Sequence, residues 1–373
     1  MSMTVATMGN RIKLPNMVDV LVVGGGIAGV SIAYELAAHA TVLLAEAEPT
    51  LAEHTTGRSA AIYAPSYGGP VVRALTAASG PRYRDLETEL DTPPLLTPRP
   101  VLWLAVDDEG VARLDALPAE PVTAAQARAL CPPLRRIAAV ARDDSASDID
   151  VMALHDAYRR GLRARGGTIR TAGPVTALRR DGAGWLATVG EQETRADIVV
   201  NAAGAWADEL AVRAGVPTIG LRPMRRTIAL ASGPTPVDPA WPLVADAADR
   251  FYFRPEGSRM LISPADETPS EPCDAKPDEL DVALAVERIN DVTTLGLRRV
   301  HTAWAGLRSF VADRGPVVGA WPDHPGFVFF AGQGGYGIQM APALAALGAA
   351  VALGRVIPPG PAVRDVSPGR SAN

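Results

Sequence analysis

A glycine loop set between a strand and a helix constrains this chain more than any other feature. Gly24-Gly25-Gly26-Ile27-Ala28-Gly29 follows an apolar, β-branched run at 19–23 and leads into a helical pattern over 30–38, with a second strand expected at 41–46. A GxGxxG turn in that setting lets a pyrophosphate approach the helix N-terminus, where unpaired N–H groups and the helix dipole favour anions. Gly24, Gly26, Ile27, Ala28 and Gly29 are therefore candidate cofactor contacts. Glu46 lies twenty-two residues after Gly24, at the end of the second strand, where a carboxylate accepts ribose hydroxyls. The spacing predicts an α/β fold built on a doubly wound parallel sheet of the Rossmann type.

Beyond this unit, βα segments alternate with a strand-rich middle. Helices are expected at 153–165 and 341–353, and a capped one within 118–136 that stops at Cys131-Pro132-Pro133. Strands are expected at 102–106, 168–170, 196–201 and 327–331, with a hairpin turning at Asp181-Gly182-Ala183-Gly184. Further strands at 225–230, 251–253 and 260–263 suggest an antiparallel sheet. Two domains interleaved in sequence follow. Segments 17–90, 140–215 and 300–357 would form the nucleotide-binding domain. Segments 91–139 and 216–299 would form a smaller α+β substrate domain with a mainly antiparallel sheet, leaving flexible tails at 1–16 and 358–373.

Composition narrows the partners. The net charge of −5 and the lack of a Lys/Arg-rich run argue against nucleic acid, so a small molecule is the expected partner. The cysteines, Cys131 and Cys273, show no CxxC or metal spacing and suit a reducing cytoplasm. His39, His54, His155, His301 and His324 form no metal pattern, and surface or capping roles are expected for them. No secretory h-region precedes residue 17, and the apolar run 341–354 falls short of the ~20 residues that span a bilayer. Peripheral membrane contact stays open, and no segment specifies an oligomeric state.

Two further segments extend the cofactor site. Thr56-Gly57-Arg58-Ser59-Ala60-Ala61 offers small residues and hydroxyls to phosphates. Gly332-Gln333-Gly334-Gly335-Tyr336-Gly337-Ile338-Gln339 reads as a second glycine-rich helix start after a strand. A helix N-terminus there would stabilise negative charge on a reduced flavin, which favours FAD over NAD. Longer runs then match a known pattern: GRSAAIYAPSYG (57–68), VRALTAAS (72–79), 201–206, WAGLRSFVAD (304–313) and QGGYGIQ (333–339). Through these the chain resembles the D-amino-acid oxidase family of flavoenzymes, near glycine and sarcosine oxidases. It is most similar to bacterial FAD-dependent D-amino-acid dehydrogenases of the D-arginine dehydrogenase type, from residue 20 to about residue 345. The resemblance implies non-covalent FAD held also by Arg58, Ser59, Ala60, Ala61, Val175, Ala203, Gly204, Trp206, Arg308, Gly334, Gly335, Tyr336, Gly337, Ile338 and Gln339. Neither cysteine sits where covalent attachment would require it.

The implied reaction oxidises a D-amino acid to its imino acid, which hydrolyses to a 2-oxo acid and ammonia. Oxygen or a quinone would reoxidise the flavin. Such a substrate needs a planar cation for its carboxylate, and Arg226 and Arg308 fall on matched positions. Strand alternation makes Arg225 and Arg226 face opposite sides. Tyr67 and Tyr252 match as hydroxyl donors, and Gly306 as a backbone carbonyl for the amine. Gln339 and Tyr336 would line the pocket near the flavin. Water or Tyr67 is left as the proton acceptor. Two positions depart from the D-arginine pattern: Val101 replaces a glutamate after Pro98-Arg99-Pro100, and Ile62 replaces a histidine. A buried guanidinium would find no counter-charge there, so a neutral or apolar side chain is expected. The alternatives are a glycine- or sarcosine-type amine oxidase and, in a different class, an NAD-binding or non-catalytic Rossmann protein.

Overall fold

The computed structural model describes residues 16–370; the expected leader, apart from Asn16, and the last three residues lie outside them. Its first sheet has a parallel centre. The strand Met17–Val23 pairs with Val42–Ala45 on one side and Gln192–Asn201 on the other, and Thr168–Arg170 and Phe327–Ala331 extend it in parallel. These strands read as continuous apolar runs because both faces are covered. On one face lie the helices Ile27–Ala37, Val151–Ala164 and Ala341–Ala352, whose Val30, Leu154 and Leu344 are fully buried against the sheet. The hairpin Val175–Asp181/Gly184–Val189 continues this sheet by antiparallel pairing with Gln192–Asn201, and with the helix Ala207–Arg213 it packs on the other face around Trp185, Phe327 and Phe329.

The second sheet is mainly antiparallel, and its alternation positions the site. In the strand Val101–Ala105, Leu102 and Leu104 enter a core beneath the helices Ala124–Leu130 and Glu279–Val292, while Val101 and Trp103 face the opposite side. In the adjoining strand Leu243–Asp246, Val244 joins that core, and Leu243 and Ala245 join Val101 and Trp103. A period of two thus builds one apolar wall for a core and another for a cleft.

Several boundaries differ from expectation. The strand Ala139–Asp143 pairs with Val101–Ala105, and Arg299–Phe310 pairs along its length with Arg222–Ser232, so both belong to the second sheet. Such pairings are non-local and leave no mark on local sequence. The segment expected as a C-terminal tail is docked from Val363: Val366 is fully buried, its carbonyl accepts from Val318 N, and Arg370 pairs with Asp313 at 2.7 Å. The twenty-residue helix Pro70–Glu89 carries Pro81 inside it, an interruption that hides its periodicity in the sequence. No described helix is long and apolar enough to cross a membrane.

Cys131 is buried, and burial pushes its thiol up to about 12, whereas Cys273 is exposed. Reactive cysteines need an accessible thiolate. One thiol per chain should therefore react with a disulfide reagent in the native protein and two after denaturation. Two fast native thiols would show that the helix ending at Leu130 opens readily.

Candidate active site

One cleft runs from the Gly24–Ala28 turn, between the two sheets, to Arg226 and Arg308. At the first end, glycine is a steric requirement. A Cβ on Gly29 would lie 1.8 Å from Gly24 O, and one on Gly24 (φ +110°) 2.4 Å from Ala202 O. Thr56 Oγ1 accepts from Ile27 N at 2.9 Å, and Glu46 Oε2 accepts from Gly25 N at 2.6 Å. His155, for which a surface or capping role is expected, is buried beneath the loop with Nε2 2.9 Å from Gly25 O. A carbonyl only accepts, so that nitrogen carries the proton, and burial lowers the ring's pKa and keeps it neutral. Burial under a loop is not encoded in local spacing, which is why the sequence did not reveal it.

Ser59, Ala60, Ala61, Val175, Ala203, Gly204 and Trp206 line the cleft between its ends. Arg58 lines it too, but its guanidinium donates to protein: Ala275 O (3.0 Å), Ala305 O (3.1 Å), Asp274 (2.6 Å) and Glu53 O (3.2 Å). It ties the Thr56–Arg58 turn to the second sheet at the cleft's edge. The segment Gly332–Gly335 is a turn, not a helix start; the following helix begins at Ala341. Gly334, Gly335, Gly337, Ile338 and Gln339 border the cleft, whereas Tyr336 does not and instead packs edge-on beneath Tyr67 at 5.1 Å. The side-chain amides of Gln333 and Gln339 are buried with no protein partner for Nε2. Buried orphan donors call for an acceptor, which a polar ring edge in the cleft would provide.

The other end is cationic, with an apolar wall. Alternation sends Arg225 toward Asp281 (2.9 Å) on the far face and Arg226 into the cleft. Arg226 and Arg308 are 6% and 7% exposed, so each needs a counter-charge. Glu267, not foreseen from sequence, provides it: its Oε1 accepts from Arg226 (3.2 Å), Arg308 (3.0 Å) and Arg314 (2.7 Å). Burial opposes the Glu267 charge, but the arginines outweigh it and hold the carboxyl below its ordinary range. Its contribution to stability is thus present above the unfolded pKa and lost as pH falls through the depressed folded value. Arg308 Nη2 also donates to Tyr67 OH (3.2 Å), whose phenol burial keeps protonated far above its usual range. Ile62, Val101, Trp103, Leu243, Ala245 and Tyr252 form the wall, and Gly306 sits opposite Arg226 in the strand pair.

A family model described as FAD dependent oxidoreductase matches residues 19–351. The chain belongs to that family. Its cofactor is FAD, which sets aside the NAD-binding alternative, and the glycine turn, Glu46 and the orphan amides fit it. Among curated proteins, the FAD-dependent oxidoreductase domain-containing protein 1 of Bos taurus is 31% identical over 170 residues, 41% of this chain and 35% of that protein. The Mus musculus counterpart is 30% identical over the same shares. The match thus spans about a third of those relatives' length. Among solved structures, L-proline dehydrogenase from P. horikoshii superposes with a TM-score of 0.84 at 20% identity, over 96% of this chain and 99% of that one. Glycine oxidase from Geobacillus kaustophilus gives 0.79 at 21% identity, over 92% and 96%. The L-amino acid deaminase of Proteus vulgaris gives 0.80 at 16%, over 98% and 99%. These likenesses establish the fold.

Proposed function

We propose that this FAD-dependent oxidoreductase oxidises the amine of a small α-amino acid with a neutral, apolar side chain, releasing a 2-oxo acid and ammonia after hydrolysis of the imine. The observation that carries this reading is the pair of buried guanidiniums, Arg226 and Arg308, opening onto an apolar wall in the cofactor cleft. Non-covalently bound FAD supplies the two-electron acceptor, and the chain supplies binding and orientation. Arg226 and Arg308 take the carboxylate, Tyr67 and Tyr252 add hydroxyls, and Val101, Ile62 and Leu243 enclose the side chain. Fixing the substrate at two ends in this way supports catalysis by position, worth roughly 7–11 kcal/mol of barrier in favourable cases.

The motif resemblance supports the D enantiomer. A second reading, glycine or a secondary amine, is supported by neighbours named glycine oxidase and iminodiacetate oxidase. Anaerobic bleaching of the flavin by D- and L-amino acids, glycine and N-methyl amino acids tests both. Bleaching by none of them overturns the amino-acid reading.

Selectivity gives a sharper expectation. Apolar side chains gain ~25 cal/mol per Å² buried on the Val101 wall, while a guanidinium would shed water without a partner there. D-Leucine or D-methionine should exceed D-arginine in kcat/KM, and Val101→Glu should move the ratio toward D-arginine. A wild-type preference for D-arginine would show that the wall does not receive the side chain.

A further inference from the structure

The proton on a substrate's ammonium must leave before its nitrogen lone pair can assist oxidation, and the sequence motifs offer only Tyr67, or water, as its acceptor. Tyr67 is unsuited, being a buried phenol that already accepts from Arg308. Glu267 is occupied by three arginines on one oxygen. At the other end, Glu46 accepts from Gly25 N and Glu48 pairs with His54. One carboxylate remains at the arginine end of the cleft among the described residues: Asp249.

Asp249 stands at the turn between the strands Leu243–Asp246 and Tyr252–Glu256, with a left-handed backbone (φ +56°) that aspartate tolerates better than most residues. The turn is clamped from behind. Arg250 binds Asp246 (2.6 Å) and Asp107 (2.5 Å), and Arg288 donates to Arg250 O (2.5 Å). The Asp249 carboxylate itself comes no nearer to Arg226 than 3.7 Å, beyond hydrogen-bond reach, and its side chain is 46% exposed. An under-partnered anion on a clamped turn, beside a carboxylate-binding cation, complements the two charges of a zwitterion. Its exposure gives the proton a route to bulk water.

We propose that Asp249 receives the substrate's ammonium and accepts its proton. The N–H bond breaks, its electron pair stays on nitrogen, and the carboxylate becomes a carboxylic acid that returns the proton to solvent. The charged and titratable groups around Asp249 are Arg226 on the strand Arg222–Ser232, Arg308 and Tyr67 across the cleft, Tyr252 on the following strand, and Arg250 and Asp246 on its own turn.

This rests on the amino-acid reading, and the test separates the two. It uses FAD-loaded protein and whichever leucine enantiomer reduces the flavin faster. Wild-type kcat/KM should be nearly flat between about pH 7 and 9. In Asp249→Asn it should fall about 10²-fold at pH 7 and recover about tenfold per pH unit as the free amine becomes available. Isocaproate, the same skeleton without the amine, should bind Asp249→Asn as tightly as wild type or tighter, because a negative charge beside Arg226 is gone. A wild-type profile that already climbs tenfold per unit overturns the proposal even if the variant fails to fold. So does a variant whose loss is uniform across pH, or absent. A wild-type flavin that neither enantiomer reduces, while another amino acid does, moves the same measurements to that amino acid; reduction by no amino acid overturns the functional reading and this proposal with it.

Discussion

Arg308→Met should raise KM for an amino acid by roughly 30- to 4,000-fold while FAD stays bound. The range follows from the loss of about 2–5 kcal/mol when one partner of a buried, hydrogen-bonded charge pair is removed. Arg308 is 7% exposed and donates to both Glu267 and Tyr67, so methionine would fill much of its volume without restoring either bond. Glu267 keeps Arg226 and Arg314, which limits the cost to folding. Arg226→Met should act in the same direction, with Asp266 O also losing its donor at 2.8 Å. Steady-state kinetics with a flavin absorbance ratio separates substrate from cofactor effects. Near-normal KM in both variants would place the carboxylate elsewhere.

Gly29→Ala should yield colourless protein from a yellow parent whose FAD is released by acid. The added Cβ would meet Gly24 O at 1.8 Å and Gly24 C at 2.9 Å, and both are backbone atoms of the turn that must approach the cofactor. No side-chain rotation relieves that clash. Gly182→Ala is the control: its φ is +61° and nothing lies within 4 Å, so only the left-handed strain of about 1–2 kcal/mol applies. That variant should lose some thermal stability and remain yellow. Yellow Gly29→Ala protein with wild-type FAD affinity would mean that the turn is not the phosphate cradle.

The parts of this architecture legible in the sequence are those with a local signature. The Gly24–Gly29 turn, its flanking strand and helix, and the opposed faces of Arg225 and Arg226 follow from glycine geometry and a period of two. What escapes a local reading depends on pairings distant in sequence. The strand Arg299–Phe310 reads as part of the nucleotide-binding domain, yet it lies in the second sheet, because its partner, Arg222–Ser232, lies about eighty residues earlier in the chain. Glu267 and Asp249 fall in no sequence motif, and only the fold brings them to Arg226. Tyr336 shares a motif with cleft residues yet turns behind Tyr67. Gly80-Pro81 masks a helix that packing against Ala341–Ala352 restores.

The strand Arg299–Phe310 has a last consequence. Two residues before its end it carries Arg308, and one residue later Ser309 O accepts from Gly334 N at 2.9 Å. Gly335, next in line, has room for the Arg308 guanidinium only because it lacks a Cβ, which would lie 2.0 Å from Nε. The proposed carboxylate anchor and the turn bordering the cleft are therefore joined through consecutive residues of one strand. Occupancy at one end is expected to restrain the other, and reciprocity requires the effect on affinity to run both ways. Carboxylates should tighten FAD binding, and loss of FAD should weaken carboxylate affinity by the same factor.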